Sequence, residues 1–258
     1  MFLSNIPNPK LKAIFSAGPA GAALASRLAR SSPSLKVLLI EAGGSNSEVT
    51  DRVLYDRYAT FVTAPGYNWN YMTTPQPNLG GKSVFYARGK GLGGSSSINF
   101  CCYTVGPKDD FDGWARLVGD KRFNWDNAKR RFSELETIRT PTHRDVARYS
   151  NPAEWHGKEG PLSVEYAEKY EKSLAPSMEA FKDAGFELNP DINSGNPLGM
   201  GVSPSTASNG TRVTAASAFL EPKPENLTIK INTPIARVLL EGKRAVGVEA
   251  INGERCTF

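Results

Sequence analysis

Between Gly89 and Ser97 the chain reads Gly-Lys-Gly-Leu-Gly-Gly-Ser-Ser-Ser, four glycines and three serines in nine positions. Glycine costs about 1 kcal/mol per residue inside a helix, so this stretch predicts no core helix. Glycine does let a backbone approach a ligand closely and take positive φ, and free amides interleaved with hydroxyls form a concave anion-binding nest. A flexible linker has a similar composition, but a linker does not carry Leu92 and Ile98 or lead into Phe-Cys-Cys-Tyr-Thr-Val. The stretch reads as a cradle that leaves a buried segment, wraps something flat and charged, and re-enters the core over 98–105.

The start of the chain supplies a matching half. Leu11–Phe15 suits a buried strand, Ser16-Ala-Gly-Pro-Ala-Gly21 a glycine turn, and the alanine-rich run after it a helix that Pro33 stops. Lys36–Ile40 is a second buried strand and ends in Glu41-Ala-Gly-Gly. In such a βαβ unit the turn aims amides and the positive helix end at a pyrophosphate, and an acid closing the next strand accepts ribose hydroxyls. Glu41 lies at the expected separation of about 20 residues beyond Gly18. Ser16 occupies the position of the first glycine in the G-x-G-x-x-G pattern, so the turn is expected to close less tightly and to bind its nucleotide more weakly. The βαβ unit alone also suits a nicotinamide dehydrogenase, in which the glycine cradle has no task.

Residues 48–79 are aromatic and proline-rich, an irregular excursion, and the alternation over 83–87 leads into the cradle. Periodicity predicts a helical region over 111–136, capped by Asn124 or Asp126, a loop over 137–149, a strand after Gly160, and a helix over 172–184 stopped by Gly185. Residues 189–211, dense in Asn, Gly, Ser and Pro, form a long irregular segment of the kind that covers a ligand. Strands follow at 227–231 and 236–240, with a hairpin at Glu241-Gly-Lys-Arg into 245–251, after which no closing element is expected.

With 258 residues, 40% hydrophobic and 22% charged, the chain belongs with globular proteins. The net charge of +5 is scattered without a basic stripe, which argues against nucleic acid as a partner. Three cysteines, two of them adjacent, make neither a disulfide framework nor a metal site. No apolar run has signal-peptide or membrane-span length, so a soluble protein without membrane association is expected.

Together these residues carry a resemblance. The chain resembles the N-terminal part of the glucose-methanol-choline (GMC) oxidoreductases, FAD-dependent enzymes. The likeness lies in the βαβ turn with Glu41-Ala-Gly-Gly, Tyr67-Asn-Trp-Asn-Tyr, Thr74-Pro-Gln-Pro and, most specifically, the span from Arg88 to Asp112. His156-Gly, Gly160-Pro, Asn209-Gly-Thr-Arg, Ala218-Phe-Leu and Asn226-Leu-Thr continue it. The resemblance implies an α/β fold: a Rossmann-like FAD-binding domain over 1–151, part of a substrate-side α+β cap over 152–209, and a return to the FAD domain over 210–258. It implies that Gly18, Pro19, Ala20 and Gly21 face the FAD pyrophosphate and that Glu41, beside Ala42, holds the adenosine ribose. Gly93, Gly94, Ser95, Asn99, Phe100, Cys101 and Cys102 would run along the flavin side, and the backbone of Ile235 would meet the adenine. The substrate would be a small-molecule alcohol. The family's catalytic histidine falls beyond Phe258, which reads as a C-terminal truncation, and neither His143 nor His156 matches it. An inactive flavin-binding fragment, or a family member with lyase or decarboxylase chemistry, is the alternative.

Overall fold

A computed structural model of the chain describes residues 11–47, 66–167 and 172–257. Most of the aromatic excursion expected over 48–79 lies outside the described residues.

In chain order, β1 (Leu11–Phe15) leads through the glycine turn into α1 (Pro19–Ser31) and then β2 (Lys36–Ile40), which pairs parallel with β1. Pro19 occupies the first helical turn, where its fixed φ suits the helix and its missing N–H breaks no helical bond. The helix gives way at Ser32, held extended before Pro33. Buried Ala22, Ala25, Ser26 and Ala29 form the face of α1 that lies on the sheet. Two short strands, β3 (Tyr71–Met72) and β4 (Phe85–Tyr86), pair antiparallel ahead of the cradle.

The helical region expected over 111–136 is two helices, α2 (Lys108–Val118) and α3 (Trp125–Leu135). Gly119, at φ 67°, ends the first, and the Asn124 side chain caps the second by accepting from the Asn127 N–H at 3.1 Å. The loop expected over 137–149 is likewise corrected. Its first residues belong to β5 (Glu136–Ile138), parallel to β6 (Leu162–Val164), and α4 (Arg144–Ala147) follows, with the His143 imidazole accepting from the Asp145 N–H. α5 (Leu174–Asp183) ends before Gly185 as expected, but only Met178 of its apolar positions is buried, and Phe181 is 48% exposed.

The irregular segment over 189–211 closes in a two-strand turn, β7 (Ala207–Ser208) with β8 (Thr211–Arg212), before the short α6 (Ala215–Phe219). β9 (Leu227–Lys230) then returns to pair parallel with β2, giving the order β1-β2-β9. β10 (Ile235–Glu241) and β11 (Arg244–Ala250) form the expected hairpin. The expectation that nothing closes it is overturned by β12 (Arg255–Thr257), which pairs with β11 and buries Cys256.

β2 explains the layering. Val37 and Leu39 point to the side of α1 and α6, in a core with Ala17, Ala22, Leu220 and Leu227, while Leu38 and Ile40 pack with Val248 and Cys256. A strand covered on both faces needs an uninterrupted apolar run, and Val-Leu-Leu-Ile supplies it. Asn226 fastens this arrangement, its amide nitrogen lying 2.7–3.1 Å from the carbonyls of Ala29, Ser32 and Leu35.

Two compact units result, one from Met1–Phe100 with Thr214–Phe258, the other from Cys101–Val213. The second has its own core of Tyr103, Val105, Trp125, Ile138 and Val164, and all of residues 152–209 fall within it.

Candidate cofactor site

Of the residues expected at the cofactor, all but Cys101 and Cys102 belong to the first unit. Ser16 leaves β1 at φ 82°, the left-handed region that glycine favours, and its N–H still donates to the Ile40 carbonyl at 2.8 Å. Gly18 precedes α1 without a side-chain cap, Pro19 has no N–H, and the first turn carries no acid. The amides of Ala20 and Gly21 therefore represent the positive helix end, a standing attraction for an anion.

Glu41, 5% exposed, closes β2. Its Oε2 accepts from the Ala17 N–H at 2.7 Å, and its Oε1 accepts from the Gly43 and Gly91 N–H groups, both at 3.0 Å. One carboxylate thus joins the dinucleotide turn, its own turn and the glycine cradle. A carboxylate offers about four lone-pair sites, so capacity remains for a hydroxyl.

The cradle is tied down further by its backbone: the Gly93 N–H donates to the Ala17 carbonyl and the Leu92 N–H to that of Gly44. The Asn46 amide donates to the carbonyls of Lys90 and Leu92. Within the cradle, Gly94–Ser97 forms one 3₁₀ turn. Its hydroxyls serve the cradle itself: Ser96 donates to the Gly93 carbonyl, Ser97 to that of Leu92, and Ser95 accepts from the Gly89 N–H. The need for glycine is steric. A Cβ on Gly94 would sit 2.7 Å from Gly18 Cα, and one on Gly89 would sit 2.1 Å from the Gly94 carbonyl oxygen.

These segments border a cavity of about 300 Å³ lined by Ser16, Glu41, Ala42, Gly94 and Ile235, with Ile40 and Gly89. Trp69, Thr233, Pro234 and Ile251 complete the lining, and sequence reasoning missed all four. Trp69 could have been found through its place in the Tyr67-Asn-Trp-Asn-Tyr run. The others lie 192 to 210 residues beyond Glu41, and the Thr233 N–H, which donates to the Glu41 carbonyl at 2.9 Å, ties their segment to the site. A neighbouring cavity of about 480 Å³, which shares Thr233, Pro234 and Ile251, contains the Lys230–Glu254 ion pair at 3.2 Å.

Of the remaining expected residues, Asn99 and Phe100 end the first of the two segments that make up the first unit, and Phe100 is exposed. Cys101 and Cys102 belong to the second. Cys101 is buried at φ 60° with its carbonyl accepting from the Thr206 N–H, and Cys102 is exposed.

Both histidines have structural partners. His156 is 2% exposed, stacked on Trp155, with Nδ1 2.5 Å from Glu136 Oε1 and Nε2 3.2 Å from Asp191 Oδ2. Two carboxylate acceptors require both ring nitrogens to donate, which only the imidazolium does. Burial pulls its pKa down, but the Asp191 and Glu136 hydrogen bonds and charges override it and push His156 up to about 9. Burial opposes ionisation of Asp191, yet the His156 hydrogen bond and backbone donors hold its carboxyl below the usual range. Burial, then the Glu136 carboxylate, push the Tyr103 phenol above its usual 10.

A glycine turn at a helix N-terminus, an acid ending the next strand and a second glycine segment locked onto both define a dinucleotide-binding protein. A family model described as GMC oxidoreductase matches residues 34–257, and the chain belongs to that family. The cofactor of the family's N-terminal domain is FAD. The oxygen-dependent choline dehydrogenase of Pseudomonas putida (strain GB-1) is 38% identical over 246 residues, 93% of this chain and 42% of the relative. The pyridoxine 4-oxidase of Mesorbium loti superposes with a TM-score of 0.81 at 30% identity, over 95% of this chain and 46% of that one. A variant of the Aspergillus oryzae RIB40 formate oxidase, studied for its FAD modification, gives 0.79 at 29%, over 96% and 43%. The chain spans less than half the length of these proteins. No helix among the described residues is long and apolar enough to cross a membrane.

Proposed function

We propose that this chain is the FAD-binding portion of an oxidoreductase that acts on the CH–OH group of a small-molecule alcohol. The observation that carries the reading is the Glu41 carboxylate, which binds the dinucleotide turn and the Arg88–Asn99 cradle together at one cavity. The residues fit the cofactor: without a Cβ at Gly89 or Gly94 the cradle packs directly on itself and on the Gly18 turn, the helix amides suit a pyrophosphate, and the acid suits a ribose. Gly18, Pro19, Ala20 and Gly21 would border the pyrophosphate, Glu41 and Ala42 the ribose, and the Ile235 backbone the adenine. Gly93, Gly94, Ser95, Asn99, Phe100, Cys101 and Cys102 would follow the flavin side.

FAD, when bound, supplies the acceptor for a hydride from the alcohol carbon. This chain's part is to orient and shield: its amides fix the phosphates, and the apolar Ile40, Pro234 and Ile251 exclude water from the adenosine end. The hydroxyl proton is assigned to none of its residues. His156 is buried between two carboxylates and His143 caps α4. Residues 152–209 contribute to a substrate-side cap in this reading, and the names of the choline and pyridoxine relatives support a small alcohol as substrate.

The test is cofactor selectivity. Because Glu41 and the βαβ turn serve only the adenosine half, the purified chain should retain FAD through gel filtration and lose FMN. Equal retention of the two would overturn the assignment.

A further inference from the structure

Ser16 is where this chain departs from the glycine pattern, and the structure shows what the departure costs and what it adds. The backbone there adopts φ 82°, which L side chains rarely adopt. The residue nonetheless carries a side chain, and that side chain lines the cavity bordered by Glu41, Gly89 and Gly94. Its Oγ lies 3.7 Å from where a Cβ on Gly18 would stand, directly over the approach to α1. Only the N–H of Ser16 is engaged, with Ile40; its hydroxyl makes no hydrogen bond to the described residues.

The helix N-terminus beside it is short of donors. Pro19 has no N–H, so the first turn of α1 offers the amides of Ala20 and Gly21, which no side-chain cap on Gly18 occupies. Two of the cradle serines do not fill the gap, since Ser96 and Ser97 already donate to carbonyls, while Ser95 accepts from the Gly89 N–H and keeps its own proton. Resting on the reading that this cavity takes FAD, we propose that the Ser16 hydroxyl donates a hydrogen bond to the cofactor's pyrophosphate, supplying a donor that a glycine at this position could not.

This separates two quantities that the sequence pattern merges. The positive φ belongs to the protein with or without cofactor, so its cost falls on stability and cancels from affinity. The hydroxyl–phosphate bond exists only in the complex, so it falls on affinity.

The flavin-free 258-residue chain, and its Ser16→Ala and Ser16→Gly variants, would be titrated calorimetrically with FAD, ADP and adenosine and melted without ligand. Both variants should bind FAD and ADP about tenfold more weakly, the low end for a hydrogen bond to a charged acceptor, with adenosine unchanged. Ser16→Gly should melt a few degrees higher, and Ser16→Ala should not. ADP binding as tight in either variant as in the parent, or an equal loss for adenosine, overturns the proposal. A parent chain that binds neither FAD nor ADP overturns the cofactor reading itself, and this proposal with it.

Discussion

At the scale of single residues, Glu41 does more than its place in the sequence suggests. An acid ending the second strand of a βαβ unit is legible as a ribose ligand. Its bond to Gly91, 50 positions away, is not, because no local pattern records which distant amide will fold against it. Glu41→Ala leaves three buried amide donors without an acceptor, each worth about 1–3 kcal/mol. It should lower the stability of the flavin-free chain by about 3 kcal/mol as well as weaken FAD binding. Urea denaturation without flavin is the check, since a residue that only touched ribose would leave that curve in place. Ser16 is the converse case: the departure was plain in the sequence, but the positive φ and the free hydroxyl came from the structure.

At the scale of elements, the glycines divide by what stands opposite them. Gly89→Ala drives a methyl into the Gly94 carbonyl at 2.1 Å, so the cradle cannot close. The variant should lose FAD retention and at least about 2 kcal/mol of stability. Gly113, inside α2, has only the end of the Arg116 side chain within 4 Å of its added Cβ, at 3.7 Å. Gly113→Ala should therefore stabilise by about 0.5–1 kcal/mol through helix propensity alone, and thermal melting would separate the two outcomes. β1, α1, β2 and the β10–β11 hairpin were legible because each follows a strict period or a turn signal. In the 111–136 region the Asn124 cap was legible, but the stop at Gly119 was not because the aromatic stripe spans it, and β12 went unread because three residues carry no period.

At the scale of the whole molecule, the second unit rests on a charged core that makes its stability depend on pH. His156 rises from 6.5 to about 9 on folding, so its contribution is complete below 6.5 and is lost as the pH passes 9. Asp191 moves below its usual 3.8, so its contribution is complete above that value and is lost as acid protonates it. The unit should be most stable between about pH 4 and 6.5 and weaken by roughly 3 kcal/mol at most toward alkaline pH. Denaturant midpoints at pH 6, 8 and 10, followed by fluorescence of Trp125 and Trp155, would show the decline. His156→Gln, weaker throughout, should flatten it, and an unchanged alkaline slope in that variant would place the titrating group elsewhere.

The interrupted first unit also sets a timetable. β2 meets its neighbour β9 only about 190 residues later in the chain. At 5–20 residues per second, a ribosome needs roughly 10–40 s to make that stretch. Throughout that interval one edge of β2 waits without its partner strand, while all of Cys101–Val213 emerges and can fold. Thr233, Pro234 and Ile251, which complete the cavity lining, are made after all of Cys101–Val213, so the cofactor pocket is finished only after the inserted unit.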